Sequence, residues 1–324
     1  MSALPTRDAI VATARESIAR GSKSFAAASR LFDRRARERA WLLYAWCRRC
    51  DDIADGQDHG HAMTVVADAA DRLVRITAMT EAALAGDWVG DPAFDALRIV
   101  ASETHLPPAL ARDLIAGFAL DAEDWRPCSE DDLYLYCYHV AGVVGCMMAL
   151  AMGVDRQDAA TLDRACDLGM AFQLANIARD VAEDDRVGRC YLPLDWLAEM
   201  DIPPGEHMKP AFRKPLAVLV ARLTDRAAAF EASARIGTPA LPFRSAWAVL
   251  ASAGIYGAIG RQVAALGEQA WDRRVVIGRP EKLRLIALAA RQATERRRIY
   301  PPAPRSPALW SRPVHDQRDD NLVR

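Results

Sequence analysis

Alanine, leucine and arginine recur at spacings of three and four through most of this 324-residue chain, and strand-like alternation of β-branched residues is nearly absent. A helix repeats every 3.6 residues, so this pattern buries one face of a helix and offers a β-strand no consistent face to bury. The expected fold is all-α. Breaks are expected at Gly21, the Asp55-Gly56 turn, Gly86 to Pro92, Pro107-Pro108, Pro127, Gly153, Gly188 to Pro193, Pro203-Pro204-Gly205, Gly237 to Pro242 and Gly278-Arg-Pro280. They leave roughly ten helices. No Gly/Ser/Pro-rich linker splits the middle, so one helical domain is expected over residues 13–298, after an N-terminal segment 1–12. Five prolines lie between Pro301 and Pro313, and residues 299–324 are expected to form an irregular tail.

Charge and cysteine usage exclude several classes. Acidic and basic residues nearly cancel to a formal charge of -1, which leaves no global field to draw in a nucleic acid, and no nucleic-acid partner is expected. The N-terminal stretch with Arg7, Asp8, Arg15 and Glu16 lacks the apolar core of a secretory signal, so a cytoplasmic location is expected. The longest apolar runs, Val140 to Val154 and Ala246 to Gly260, fall short of the ~20 residues of a bilayer span. They read as buried helices, and no transmembrane segment is expected. The seven cysteines lack paired zinc spacing, and Cys47-Arg-Arg-Cys50 falls inside a helical pattern, so reduced thiols are expected.

Two segments carry chemistry. From Trp41 to Asp55 there is no Gly or Pro, so Trp41, Tyr44, Arg48, Asp51 and Asp55 form one stripe at helical spacing that ends in two carboxylates. Like charges four residues apart repel, and beside large aromatics they suit a compensating cation; read alone, the stripe is first a solvated helix end with Arg48 as ion-pair partner. In the second segment, Gln173, Asn176, Asp180 and Asp184 follow at steps of three, four and four, with Leu174, Ile177 and Val181 on the core side. A row of two amides and two carboxylates is an oxygen-rich strip suited to a hard cation. Mg²⁺ binds through one or two carboxylates plus substrate phosphates, so two such strips facing one apolar cavity suit a bridged diphosphate.

Between the strips lies Tyr134-Leu-Tyr136-Cys-Tyr138-His139-Val-Ala-Gly142-Val-Val-Gly145, which passes from aromatic to small residues. Its glycines leave room either for a hydrocarbon along a pocket wall or for close helix packing, and the residues alone leave both open.

Together YAWCRRCDDIAD, YCYHVAGVVG, FQLANIARDVAEDDRVGRCYLP, the Gly21-Ser-Lys-Ser-Phe25 segment and the late RSAWAV and AWDRR stretches resemble the squalene and phytoene synthase family, nearest its bacterial phytoene synthase branch. The likeness spans about residues 20 to 285. It implies an isoprenoid-synthase helical bundle around a central apolar cavity. Carried over by position, Asp51, Asp55, Asp180 and Asp184, with Asn176, would hold Mg²⁺ or alternatively Mn²⁺, and Gln173 would line the same strip. Ser22, Ser24, Phe25, Arg48, Tyr256 and Arg273 would contact substrate, most of them at the diphosphates, with Lys23, Arg179 and Arg189 as further phosphate contacts. Tyr136 would stand beside the reacting carbons. Asp51-Asp52-Ile-Ala-Asp55 also reads as the DDxxD of chain-elongating prenyltransferases, but those carry a second DDxxD where this chain has Asp180-Val-Ala-Glu183-Asp184.

The implied reaction joins two geranylgeranyl diphosphates head to head through prephytoene diphosphate to phytoene, within carotenoid biosynthesis, and no NADPH is expected. Prenyl diphosphates are the expected partners. Peripheral contact with the inner membrane face would ease delivery of the amphiphilic substrate and release of the insoluble product, although no basic amphipathic helix stands out to make it. Two readings compete: the same chemistry on farnesyl diphosphate, and a non-catalytic helical scaffold that has lost the carboxylates. All four carboxylates are present here.

Overall fold

Thr6 opens the first helix: its hydroxyl oxygen accepts the Ala9 N–H at 3.3 Å, satisfying a donor that the first turn leaves without a partner. Helix α1 (Arg7–Gly21) therefore begins ahead of the boundary expected at residue 13, and it buries Ile10, Val11, Ala14 and Ile18. The structure, a computed structural model, describes residues 4–55, 69–123 and 125–314, and the side chains of Lys23, Ser24, Ala27 and Asp55 lie outside that description. Among the described residues there are helices and no strands, so the chain is all-α, as its 3–4 periodicity requires.

The remaining helices are α2 (Lys23–Ser29), α3 (Arg34–Asp55), α4 (Ala69–Ala85), α5 (Pro92–Thr104), α6 (Pro108–Ala122), α7 (Glu130–Cys137), α8 (Val143–Ala151), α9 (Ala159–Arg186), α10 (Leu194–Glu199), α11 (Arg213–Gly237), α12 (Phe243–Leu266) and α13 (Arg279–Ile299). The count among the described residues exceeds ten because α2 and α10 are too short to show a period and because α7 and α8 are parts of one helix divided by a π turn. Residue contacts gather into two compact units, one of Met1–Glu123, Cys146–Leu162 and Pro313–Arg324, the other of Asp124–Gly145 and Asp163–Arg312.

In the first unit α3 packs against α1, α4, α5 and α6. Its core side carries Leu42, Leu43 and Trp46, all essentially inaccessible. Each such side chain contributes about 1.5–3 kcal/mol by leaving water. The buried Trp46 indole N–H finds an acceptor in Thr80 Oγ1 at 3.3 Å. Glu103 ties three elements together, accepting from Arg7 Nε at 2.6 Å and from Arg39 Nε at 2.9 Å.

In the second unit Ser129 and Asp132 form a reciprocal capping box that starts α7. A π-helical turn, Tyr138–Gly142, joins α7 to α8, giving one helix from Glu130 to Ala151. The glycines settle the choice that the residues left open. A Cβ on Gly142 would meet Cys166 Sγ at 2.9 Å, one on Gly145 would strike the Ala165 carbonyl, and one on Gly169 the Ala141 carbonyl. These positions are close contacts with α9 and not a cavity wall.

Both long apolar runs lie within longer helices than expected, Glu130–Ala151 and Phe243–Gln269, each long and apolar enough to cross a membrane by length and composition. The apolar window of the first is 61% buried and that of the second 39%. After α13 the chain is irregular through the described residues 301–314, but it is pinned: Arg305 forks onto Asp167, and Arg312 Nε donates to Asp163.

Candidate functional site

Helix α9 is 28 residues long and carries the oxygen-rich strip in register. Gln173, Asn176, Asp180 and Asp184 are all half-buried, while Leu174, Ile177 and Val181 between them are buried. The compensating cations are guanidiniums. Arg179 bonds both oxygens of Asp180, through Nε at 2.6 Å on the first, and Arg274 forks onto the same carboxylate at 2.9 and 3.0 Å. Burial pushes the Asp180 carboxyl up, and the two arginines more than reverse this, holding it below the usual carboxylate range.

On α3, Trp41, Tyr44, Arg48 and Asp51 form the half-buried stripe that their spacing requires. Arg48 Nη1 donates to Asp51 at 2.8 Å, and Nη2 lies 2.8 Å from Asp52 Oδ1. That second approach is an ion pair with poor hydrogen-bond geometry, and Nη2 and Nε are both buried without a hydrogen-bond acceptor. Buried unspent guanidinium donors are costly unless an anion meets them, which suits the phosphate contact expected of Arg48. Asp55 closes the helix, and its side chain lies outside the described residues.

Ser22 has a structural task here: its hydroxyl oxygen accepts the Phe25 N–H at 3.3 Å and its carbonyl the Ala26 N–H, capping α2. Phe25 leans on Tyr44 with ring centroids 5.7 Å apart. The side chains of Ser24 and Lys23 lie outside the described residues.

Tyr136 is buried and sandwiched, stacked on Trp125 at 5.5 Å and on Tyr191 at 4.9 Å. Three nearly parallel aromatic rings present a polarisable, electron-rich surface of the kind that attracts a cation. Tyr256 stacks on Phe172 at 4.0 Å, and burial pushes its hydroxyl above the ordinary tyrosine value. Both line a cavity of about 100 Å³ within this unit, walled by small residues such as Ala175 and Gly257 and reached by Glu231 and Arg261. Arg273 is exposed, and it is Arg274 that reaches the strip.

Trp125, Tyr191 and Arg274 are the site residues that sequence reasoning missed. Tyr191 and Arg274 sit inside the GRCYLP and AWDRR stretches, a signal that went unused, whereas nothing near Trp125 in sequence marks it.

The donor set fits a hard divalent ion. It is all oxygen, its central carboxylate is held ionised, and Asp184 and Asn176 lie one turn to either side. Among the described residues no three His, Cys, Asp or Glu side chains converge into a group that could hold a metal ion by themselves. The CxxC does not compete as a metal site: burial pushes the Cys47 thiol up to about 12 and Cys50 well above its usual value.

A family profile described as Squalene/phytoene synthase matches residues 18–281. The 15-cis-phytoene synthase of Pantoea ananas is 45% identical over 302 residues, covering 92% of this chain and 96% of that one. That of Enterobacter agglomerans is 47% identical over 296 residues, covering 91% and 99%. Among solved structures, a dehydrosqualene synthase in complex with ligand aligns with a TM-score of 0.79 at 24% identity, covering 89% of this chain and 98% of that one. This last likeness speaks for the fold, a helical isoprenoid-synthase architecture. With the profile spanning most of its length and the aspartate strips inside the match, the chain belongs to the squalene/phytoene synthase family.

Proposed function

We propose that the chain is a phytoene synthase, condensing two geranylgeranyl diphosphates head to head through prephytoene diphosphate to phytoene with release of two diphosphates. The observation that carries this reading is the α9 strip: an ionised, half-buried Asp180 with Asn176 and Asp184 in line, in a chain 45–47% identical to two 15-cis-phytoene synthases.

Asp51, Asp55, Asp180 and Asp184, with Asn176, are the residues that would hold Mg²⁺, with Mn²⁺ as an alternative, and Gln173 extends that row. When bound, the ion supplies positive charge that makes diphosphate a good leaving group. The chain's own task is to bind, orient and keep dry. Arg48 offers buried N–H donors to phosphate oxygens, and Arg274 brings a planar fork to the same kind of partner. Loss of the first diphosphate leaves an allylic cation, which the 2,3 double bond of the second substrate attacks at C1. Proton loss closes the cyclopropane. A second ionisation, rearrangement and proton loss give phytoene without a hydride, so NADPH has no role. The outer π faces of the Trp125 and Tyr191 rings, backed by Tyr136 between them, would stabilise cationic character. Delivery of an amphiphilic substrate and release of an insoluble product make peripheral contact with the inner membrane face part of this proposal, and the apolar helix Phe243–Gln269, 39% buried in its apolar window, supports it.

The test supplies purified protein with Mg²⁺ and either geranylgeranyl or farnesyl diphosphate, with and without NADPH, and identifies the hydrocarbon. Phytoene from the C20 substrate, abolished by chelation and by Asp51→Asn or Asp180→Asn in folded protein, is expected. Turnover of only the C15 substrate would move the assignment to dehydrosqualene or squalene formation. Unimpaired turnover in the two Asn variants would remove these carboxylates from the metal site.

A further inference from the structure

The irregular segment after α13 makes more bonds than its composition suggests. Asp167, on α9 and fully buried, accepts from Ser233 Oγ and from Arg305 Nε and Nη2, the last two at 3.0 and 2.7 Å. Arg305 also organises its own segment, donating to the Trp310 carbonyl at 2.6 Å and to Ser311 Oγ at 3.2 Å. Arg164 grips the Ala303 carbonyl at 2.7 Å, and Arg312 reaches Asp163 at 2.7 Å. Residues 303–312 are thus a strap fastened along the first half of α9.

The strap also reaches the helix that carries Tyr136. Trp310 packs on Tyr138 with ring centroids 5.8 Å apart and on Tyr134 at 6.4 Å. Tyr136 lies two residues from each, roughly 200° around the helix, so Trp310 presses on the side away from the Trp125 and Tyr191 stack. Where this helix meets α9 the approach is close: Gly145 lies on the Ala165 backbone and Gly169 on the Ala141 backbone, while the Cys166 and Met170 side chains fill the space beside Gly142. The strap bridges both helices at that level, bonding Asp167 beside Cys166 on one and packing on Tyr138 at the start of the π turn on the other.

We propose that Arg305 and Trp310 are positioning residues which, through the strap, fix the register of the Tyr136 helix against the donor strip of α9. The proposal rests on the functional reading of Tyr136 and of that strip. It predicts that loosening the strap costs turnover before it costs fold or substrate affinity, because small misplacement of reacting groups is enough to slow a reaction greatly.

The experiment compares full-length Trp310→Ala, Trp310→Phe, Arg305→Gln and Arg305→Lys with wild type. It measures kcat and KM for geranylgeranyl diphosphate, affinity for inorganic diphosphate with Mg²⁺, and near- and far-UV circular dichroism at the assay temperature. Trp310→Ala and Arg305→Gln are expected to lose about 10-fold or more in kcat with KM within about two-fold. Their diphosphate affinity and far-UV signal should stay as in wild type, while in Arg305→Gln, which keeps every aromatic ring, the near-UV signal changes. Trp310→Phe, which keeps a ring, should recover most of the rate. Arg305→Lys cannot donate at once to Asp167 and to the Trp310 carbonyl, so it should be slowed even if the Gln variant fails to fold. Wild-type kcat in Trp310→Ala or in Arg305→Lys overturns the proposal, as does a loss of activity in every variant that merely follows the folded fraction. Wild-type activity on the C20 substrate tests the functional reading, whereas variant-to-wild-type ratios and the near-UV signal test the strap, so the two fail separately.

Discussion

Gly145→Ala asks most sharply whether the small residues of the Tyr136 helix line space or fill a contact. A Cβ at this position would lie 2.9 Å from the Ala165 carbonyl carbon and closer still to its oxygen, and that carbonyl belongs to the α9 backbone, which has no rotamer to adopt. Overpacking typically costs about 1–3 kcal/mol, and a backbone neighbour places this case at the upper end. Against it stands the helix propensity gained on replacing glycine by alanine, about 1 kcal/mol. The net is a loss of about 2 kcal/mol, or a melting temperature lower by roughly 4–8 °C on the scale for domains of this size. Gly254→Ala in α12 is the control: there a Cβ would meet Leu285 Cδ2 at 3.6 Å, an ordinary contact, so propensity should win and raise the melting temperature slightly. Thermal denaturation of both variants by circular dichroism decides. If Gly145 bordered open space, alanine would fit freely and stabilise. A Gly145→Ala protein melting at or above wild type would refute the packing argument.

Glu103→Gln should lower stability at neutral pH by about 1–2 kcal/mol, because it breaks the charge-assisted bonds from Arg7 and Arg39. Burial pushes the Glu103 carboxyl up and the two arginines pull it further down, below its ordinary 4.5, so its contribution is complete above about pH 4.5 and is lost as pH falls through the lowered value. Melting temperatures of wild type and variant should therefore converge in acid, and a constant gap would contradict this. Arg274→Lys should reduce turnover more than Arg273→Lys, since Arg274 is the one forked onto Asp180; the reverse ranking would return Arg273 as the diphosphate contact. Of the seven free thiols Cys128 alone is exposed, so a thiol reagent should find one fast equivalent in the native protein and seven after unfolding; rapid reaction of Cys50 would contradict its burial.

What was legible in the sequence is what is local. Helices and the faces of α3 and α9 follow from spacing, and the half-buried Asp180 lies between buried Ile177 and Val181 as that spacing requires. The glycines stayed ambiguous because their meaning depends on what approaches them, and Ala165 and Gly169 are distant in sequence. Repulsion between Asp180 and Asp184 is legible from their spacing, and alone it implies that neutralising Asp180 leaves the unliganded protein no less stable. The arginines reverse that expectation, since Asp180→Asn strands two guanidiniums, one from a segment with no period to read. The proline-rich tail reads only as irregular because what pins it, a buried Asp167 and an aromatic face, lies more than a hundred residues away.

The most direct test of the central claim is a stoichiometric one: labelled geranylgeranyl diphosphate is turned over by the purified protein with Mg²⁺ and no NADPH, and hydrocarbon and diphosphate are counted together. Head-to-head condensation predicts one C40 phytoene for every two diphosphates released, with the same yield when NADPH is added. Diphosphate release without a C40 product, or formation of a C40 product only when NADPH is supplied, would contradict it.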